Sequence, residues 1–408
     1  MKQFCRALLL LAIALAILLS AAMQAQTFTV LHTFTGANDG DEPQASLTLD
    51  GAGNLYGTAS YGGSVGMGTV FKLTDRPSGW ALTTLYSFSG GSDGAIPLGG
   101  VIFGPDGSLY GDTSAGGDSG YGTVFNLKPQ PRVCNSTECP WLKTTLYQFT
   151  DEQDGSAPMG NLLANAAGDL FGTTSGPFGS VYKLTPLNHS WIYSLLYSFN
   201  YFGGPYQPYA GVISDTAGNL FGTTANGGDG ECYRGGGPCG TVYELSPVGS
   251  SWRLNVLYEF QGRGDGGYPR GALIADRFGN LYGANTAGVV FMLTPGGGSW
   301  AFNSLYQFQG PCPVQFGPSC GPWGALVMDA SGSLYGTAYL YGAYSYGSVF
   351  KLTPSNGGWI YTDLYDFTNG SDGSFPMAGV TLDANGSIYG TTEFGGSSNF
   401  GVVFEITP

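Results

Sequence analysis

Seven loops of this chain carry a proline whose following residue differs almost every time: Gln44, Leu98, Met159, Tyr209, Arg270, Trp323 and Met377. Three successive copies supply Tyr209, Arg270 and Trp323. Aromatic rings beside a guanidinium can stack on and hydrogen-bond a sugar or another planar ligand, so these three are the candidate ligand-binding residues. Plain packing at the entry of inner strands is the competing account. Five of the loops read D-G-x-x-P, which places Asp39, Asp93, Asp154, Asp265 and Asp372 at one repeated position. Asp oxygens suit a hard cation, so calcium is the one cofactor to consider. A simple Asp-Gly turn with its carboxylate bonded to nearby backbone explains the same spacing, and no EF-type ligand series occurs within one loop.

Support for catalysis is thin. His32 and His189 are the only histidines, and no Ser-His-Asp, Cys-His or HExxH-type arrangement can be assembled. His32 stands where other copies have Tyr, which reads as a core or edge substitution; His189 falls in a turn on the other face. Glu42 with Asp39 or Asp41 is the first carboxylate pair to consider for glycosidic chemistry. An acid-rich exposed turn accounts for them more simply, and no catalytic residue is assigned.

The elements that position these loops are repeats. Leu/Ile-Tyr/Phe-Gly begins at Leu55, Leu109, Leu170, Leu220, Leu281, Leu334 and Ile388, which defines seven units of about 55 residues. Within a unit, "AGVTLD", "SIYGTT", "GVVFEI" and "WIYTDLYDF" are short, β-branched or aromatic, and bounded by Gly, Asn, Asp or Pro clusters. They read as four strands, a to d, with a D-x-x-G-N/S hairpin turn between a and b. Before the first a strand lies a lone d strand, "TFTVLHTF", and the last unit stops after its c strand. The expectation is an all-β, seven-bladed β-propeller of four-stranded blades, closed by the N-terminal strand completing the last blade. Trp80, Trp141, Trp191, Trp252, Trp300 and Trp359 recur five residues before the d-strand Leu and are expected to pack between blades. The glycine inside strand b marks a place where another backbone or a packed ring comes close.

Residues 1–25 have the layout of a secretory signal peptide: Lys2 and Arg6, an apolar run, then Ser20, Ala21, Ala22 and Ala25. Residues 26–408 then form one domain. Without Lys2 and Arg6, 12 basic side chains face 28 acidic ones, a net charge of −16. Such a surface repels nucleic acid and anionic lipid, so neither is an expected partner, and no membrane insertion is expected after cleavage. Six cysteines fall into local pairs, Cys134 with Cys139, Cys232 with Cys239 and Cys312 with Cys320, which in an exported chain favours disulfides over metal ligands.

The pattern "SDGSFPMAGVTLDANGSIYGTTEFGG…GVVFEITP" resembles the tandem repeat of the choice-of-anchor GloVer-containing proteins (Gloeo/Verruco repeat) across essentially the whole mature chain. That resemblance implies an exported repeat protein, often with a C-terminal surface anchor, and no established reaction. More loosely, the strand order is similar to NHL and YVTN-type propellers, which mostly bind rather than catalyse. The expected protein is a secreted, monomeric, non-catalytic binding module, extracellular or periplasmic, whose partner is an extracellular glycan or protein. A glycan-active hydrolase or lyase is the alternative, and a structural surface or matrix protein the third reading. In propellers the d-to-a and b-to-c loops share one face, so the ligand is expected at the mouth of the central channel.

Overall fold

Each D-x-x-G-N/S turn ties a two-residue strand a to strand b. In the first, Asp50 Oδ1 accepts the backbone N–H groups of Ala52 and Asn54, both at 2.9 Å, while Gly53 takes φ 83°. A side chain there would be strained, which is why glycine recurs at the turn. The computed structural model describes residues 26–129, 141–188, 190–201, 204–232, 237–309 and 320–408. Its strands fall into seven antiparallel sheets in the expected a-b-c-d order; blade 1, for instance, uses Thr48–Leu49, Leu55–Ala59, Thr69–Thr74 and Ala81–Ser87. One blade carries an additional short segment, Ser156–Pro158. The molecule is a seven-bladed β-propeller.

Closure occurs as expected. Thr27–Thr33 pairs antiparallel with Val402–Thr407, from Thr27 opposite Thr407 to Thr33 opposite Val402. Every c–d pair has a register shift at the same depth, such as that between Val70 and Phe71, and the seventh is made across the closure between Val30 and His32. A bulge repeated in each blade increases its twist and lets the sheets fan around an axis.

Seven buried clusters lie between blades rather than within them. One joins Tyr389 and Val403 of blade 7 to Leu47, Leu55 and Phe71 of blade 1, so the seam is packed like every other interface. The repeated tryptophans do pack between blades: Trp141 meets Tyr56 of the preceding blade edge-on at 6.2 Å, and Trp80 meets Tyr389 across the seam at 6.2 Å. The strand b glycine has a specific reason. A Cβ at Gly57 would lie 2.6 Å from Phe71 Cζ, and one at Gly336 2.8 Å from Phe350 Cζ, because the strand c ring directly opposite lies over the glycine. The close neighbour is a ring of the same blade. Glycines that meet other backbone lie nearer the axis, as where Gly271 faces Gly324 of the next blade.

After that glycine, strand b usually has threonine, whose hydroxyl donates to a carbonyl of the next blade: Thr58 to Gly99 at 2.9 Å, Thr173 to Ala210 at 3.0 Å, Thr391 to Ala45 at 3.2 Å. Blade 2 places Asp112 there. Asp112 is fully buried, neither oxygen has a hydrogen-bond partner, and burial pushes its carboxyl well above the usual carboxylate range.

The cysteine expectation is met where it can be seen. Cys232 and Cys239 form a disulfide with a Cα–Cα distance of 5.1 Å. The other two expected pairs, Cys134 with Cys139 and Cys312 with Cys320, each include residues outside the described range, as does His189.

Asp112→Thr is expected to stabilise the protein at pH 7 by about 1–3 kcal/mol, by replacing an unpaired buried acid with the interblade donor. The raised carboxyl costs nothing below its unfolded pKa and destabilises progressively as pH rises towards its folded pKa. Thermal unfolding of both proteins between pH 4 and pH 8 should therefore diverge as pH rises; parallel curves would contradict this account of Asp112.

Candidate functional site at the channel mouth

The loop proline is preceded by a residue in an unusual conformation. Glu42, Ile96, Ala157, Gln207, Tyr268 and Phe375 all have φ between 52° and 60°, although none is glycine. In the remaining copy the position is Gly321. Such a backbone costs on the order of 1 kcal/mol or more and persists only where the surroundings hold it. Two hydrogen bonds hold it here. The N–H of Glu42 donates to Phe400 O of the preceding blade at 3.2 Å, and Glu42 O accepts from Ser60 N of its own blade at 3.1 Å. Tyr268 and Phe375 are clamped in the same way, to Cys239 and Tyr346 on one side and Thr286 and Glu393 on the other. The d-to-a and b-to-c loops accordingly lie together on one face, bridged at Asp41 with Tyr61 and at Ser374 with Phe394.

This clamp sets the next side chain but one. Gln44, Leu98, Met159, Tyr209, Arg270, Trp323 and Met377 all line one cavity of about 120 Å³ at the end of the axis. The candidate residues come together, but in an arrangement the sequence does not reveal. The Arg270 guanidinium carbon lies 4.5 Å from the Tyr209 ring centroid and 4.4 Å from that of Trp323, so the rings hold the arginine. Burial pulls the arginine's pKa down, opposed by nearby Tyr209.

Beyond Trp323 the contacts continue around the mouth. Trp323 meets Tyr339 at 5.2 Å, and the Tyr339 hydroxyl donates to Glu393 Oε2 at 3.2 Å. Gln44 Nε2 donates to Glu393 Oε1 at 3.0 Å and to Glu42 Oε2 at 3.1 Å. An unbroken arc thus runs from a cation to a pair of carboxylates bridged by one amide. Burial, aided by the charge of Glu42 and opposed by Tyr339, pushes the Glu393 carboxyl up to about 7. Burial and neighbouring Asp41 raise Glu42 as well. The other side of the mouth, Leu98 and Met159, is apolar, and Met377 lies between Trp323 and Gln44.

Sequence reasoning paired Glu42 with its neighbours Asp39 and Asp41; the structure pairs it with Glu393. The signal was available at the position just past strand b, where the copies read Ser60, Ser114, Ser175, Ala225, Thr286, Tyr339 and Glu393, a single carboxylate among small residues and one tyrosine. The five loop aspartates are engaged within their own loops. Asp93 accepts from Ser89 N at 2.9 Å and from the Tyr86 hydroxyl at 3.0 Å; Asp154, Asp265 and Asp372 bond the matching tyrosines, Tyr147, Tyr258 and Tyr365. At Asp39 that partner is His32, 3.1 Å away, so the histidine does the tyrosine's work. Among the described residues no three His, Cys, Asp or Glu side chains gather as metal ligands. Tyr61, Tyr121 and Tyr344 stand exposed around the face, Phe394 packs on Phe375 at 6.2 Å, and Tyr233 lies outside the described range.

A larger hollow, about 640 Å³, lies between blades 4 and 5 on the opposite face, beside Trp300, Glu244, Asp215 and Asp276. Its carboxylates are engaged: Asp215 and Asp276 cap their turns, and Glu244 accepts from Ser246 and Asn255. Side chains from all seven blades converge at the mouth, whereas the larger hollow is built by two blades only, which makes the smaller cavity the better candidate.

The fold and this arc define a seven-bladed propeller with a small, chemically polarised site at one end of its axis. The chain belongs to the Gloeobacter/Verrucomicrobia repeat family, whose pattern matches residues 17–234 and 240–408. No curated protein matches it. Among solved structures it is similar to a protein described as a 6-phosphogluconolactonase from Bacteroides uniformis, with 14% identity, 87% of this chain and 98% of the other covered, and TM-score 0.51. It is also similar to a gluconolactonase from Xanthomonas campestris (15% identity, 83% and 89% covered, TM-score 0.45) and an oxidoreductase described as a glucose dehydrogenase from Thermus thermophilus (13%, 94% and 100%, TM-score 0.43). At these identities the first likeness speaks to the fold alone.

Glu393→Gln tests the electrostatics of the arc. A carboxyl at about 7 in the folded protein, against an ordinary value of 4.5, contributes stability that is fully present below pH 4.5 and lost as pH rises through 7. The amide variant keeps a side chain of the same shape without that titration. Wild-type melting temperature should therefore fall further than that of Glu393→Gln between pH 5 and pH 8; equal slopes would show that the carboxyl ionises normally.

Proposed function

We propose that the protein is an exported binding module that takes a glycan at the channel mouth. The observation that supports it is the arc from Tyr209 to Glu42, in which a guanidinium and an amide line one cavity and a hydroxyl and two carboxylates back them through hydrogen bonds and ring contacts. Sugars present hydroxyls that both donate and accept, and a ring of mixed donors and acceptors beside aromatic side chains suits them. The exposed tyrosines on the same face, Tyr61, Tyr121 and Tyr344, offer further contact area for a longer chain. Export is supported by the Cys232–Cys239 disulfide. Among the described residues no helix is long and apolar enough to cross a membrane.

A second reading, a glycan-active enzyme, draws on the Glu42–Glu393 pair. Two carboxylates bonded to one amide nitrogen, one of them with its carboxyl near 7, are suited to sharing acid and base roles across a glycosidic bond.

A glycan-array screen of the purified protein beside Trp323→Ala separates these outcomes. Selective binding is expected, weakened at least tenfold in Trp323→Ala because one plate holding Arg270 is removed. Equal binding by both, or none by either, would end the mouth-binding reading. Release of reducing ends from a bound glycan, abolished in Glu393→Gln, would establish the enzyme.

A further inference from the structure

Arg270 is placed as an anchor for an anion. Its guanidinium lies against two rings, its Nε is buried without a hydrogen-bond partner, and among the described residues no carboxylate forms an ion pair with it. Ring contact leaves the planar edge as its route to a partner, and that edge belongs to a residue lining the cavity. A guanidinium stays charged at any physiological pH, and its in-plane N–H groups form a fork that matches a carboxylate. The acids of the same mouth do not serve it. Glu393 and Glu42 are engaged with Gln44 instead, and each is raised by burial and by neighbouring carboxylates, where an adjacent arginine would hold them low.

Resting on the glycan reading above, we propose that the ligand is an acidic sugar of the uronic-acid class. Its carboxylate is held by the edge of Arg270, and its hydroxyls lie towards Gln44, Tyr339 and the glutamate pair. One cation calls for one negative charge. A phosphomonoester, with about two negative charges at neutral pH, would meet the same single guanidinium, with the glutamate pair further round the mouth behind Gln44, and its second charge would go unanswered. The acidic surface disfavours a long polyanion as it disfavours nucleic acid, so a short uronate whose charge is met at Arg270 suits the mouth best.

Calorimetric titration of the full protein with uronate oligosaccharides, namely oligogalacturonate, oligoglucuronate and alginate oligomers, tests this. Each is compared with its carboxyl-reduced or methyl-esterified counterpart. At least one uronate is expected to bind, with affinity lowered about ten- to hundredfold when its carboxylates are masked. Arg270→Met should cause a loss of the same size, and Arg270→Lys an intermediate one, since the ammonium keeps the charge without the fork. Equal affinity for free and masked oligomers, or undiminished uronate binding by folded Arg270→Met, would overturn the acidic-sugar assignment while leaving glycan binding standing. Binding of neutral glycans alone would do the same. No binding of any glycan would remove both. If Arg270→Met fails to fold, the comparison of free and masked oligomers on the wild-type protein decides the matter.

Discussion

The pairing of Thr27–Thr33 with Val402–Thr407 is the constraint on which the rest depends. It ends no ordinary hairpin, since the two strands come from opposite ends of the chain. By completing the last blade it turns seven sheets, each with one face to bury on either side, into a ring in which every face has a neighbour. It also builds the acidic end of the site. Glu42 and Gln44 belong to the first blade and Glu393 to the last, and 349 residues separate the amide donor from the carboxylate it bonds. The hydrogen bond from Glu42 N to Phe400 O crosses the same seam, so closure fixes both the backbone and the side chains of that corner.

The mouth works by a division of labour between backbone and side chain. At the residue before six of the seven loop prolines, a left-handed conformation is imposed on ordinary side chains by bonds to two blades at once. The strain is tolerated because the hydrogen bonds would otherwise be lost in a buried place. Its effect is geometric: one side chain per blade is delivered to the axis by main-chain contacts that do not depend on what that side chain is. Repetition therefore builds the frame, and variation at a single position per blade, from Leu98 to Arg270, writes the chemistry.

This division explains what could be read from the sequence. The blade count, the strand order, the ring closure and the interblade tryptophans all rest on features that recur, and recurrence is visible without coordinates. So is the ring of post-proline residues, because equivalent positions in a closed repeat must face a common axis. Glu393 was missed because its partner comes from a different repeated position at the other end of the chain, and each residue looks unremarkable in its own unit. The roles of Tyr209 and Trp323 were inverted for a related reason. Neighbouring positions were evident, but whether two rings present their faces to a ligand or to the arginine between them depends on rotamers that spacing does not set. Asp112 sits at a threonine position of the repeat, and only its burial shows that the substitution leaves a carboxyl without a donor.

Opposite charges at one small mouth would ordinarily neutralise each other, and here they do not. Were Arg270 close enough to the glutamates to pair with them, its field would hold Glu393 below the usual carboxylate range; instead Glu393 is driven up to about 7 by burial and by Glu42. The arginine, for its part, is lowered by burial and answered only by Tyr209. The aromatic side chains Trp323 and Tyr339 stand between the two ends of the arc and keep them apart. The acids are answered by Gln44 and Tyr339, whereas the arginine has no anionic partner among the described residues. The unmet electrostatic demand of the mouth therefore sits at its cationic end, and it is there that a ligand's negative charge would be felt most.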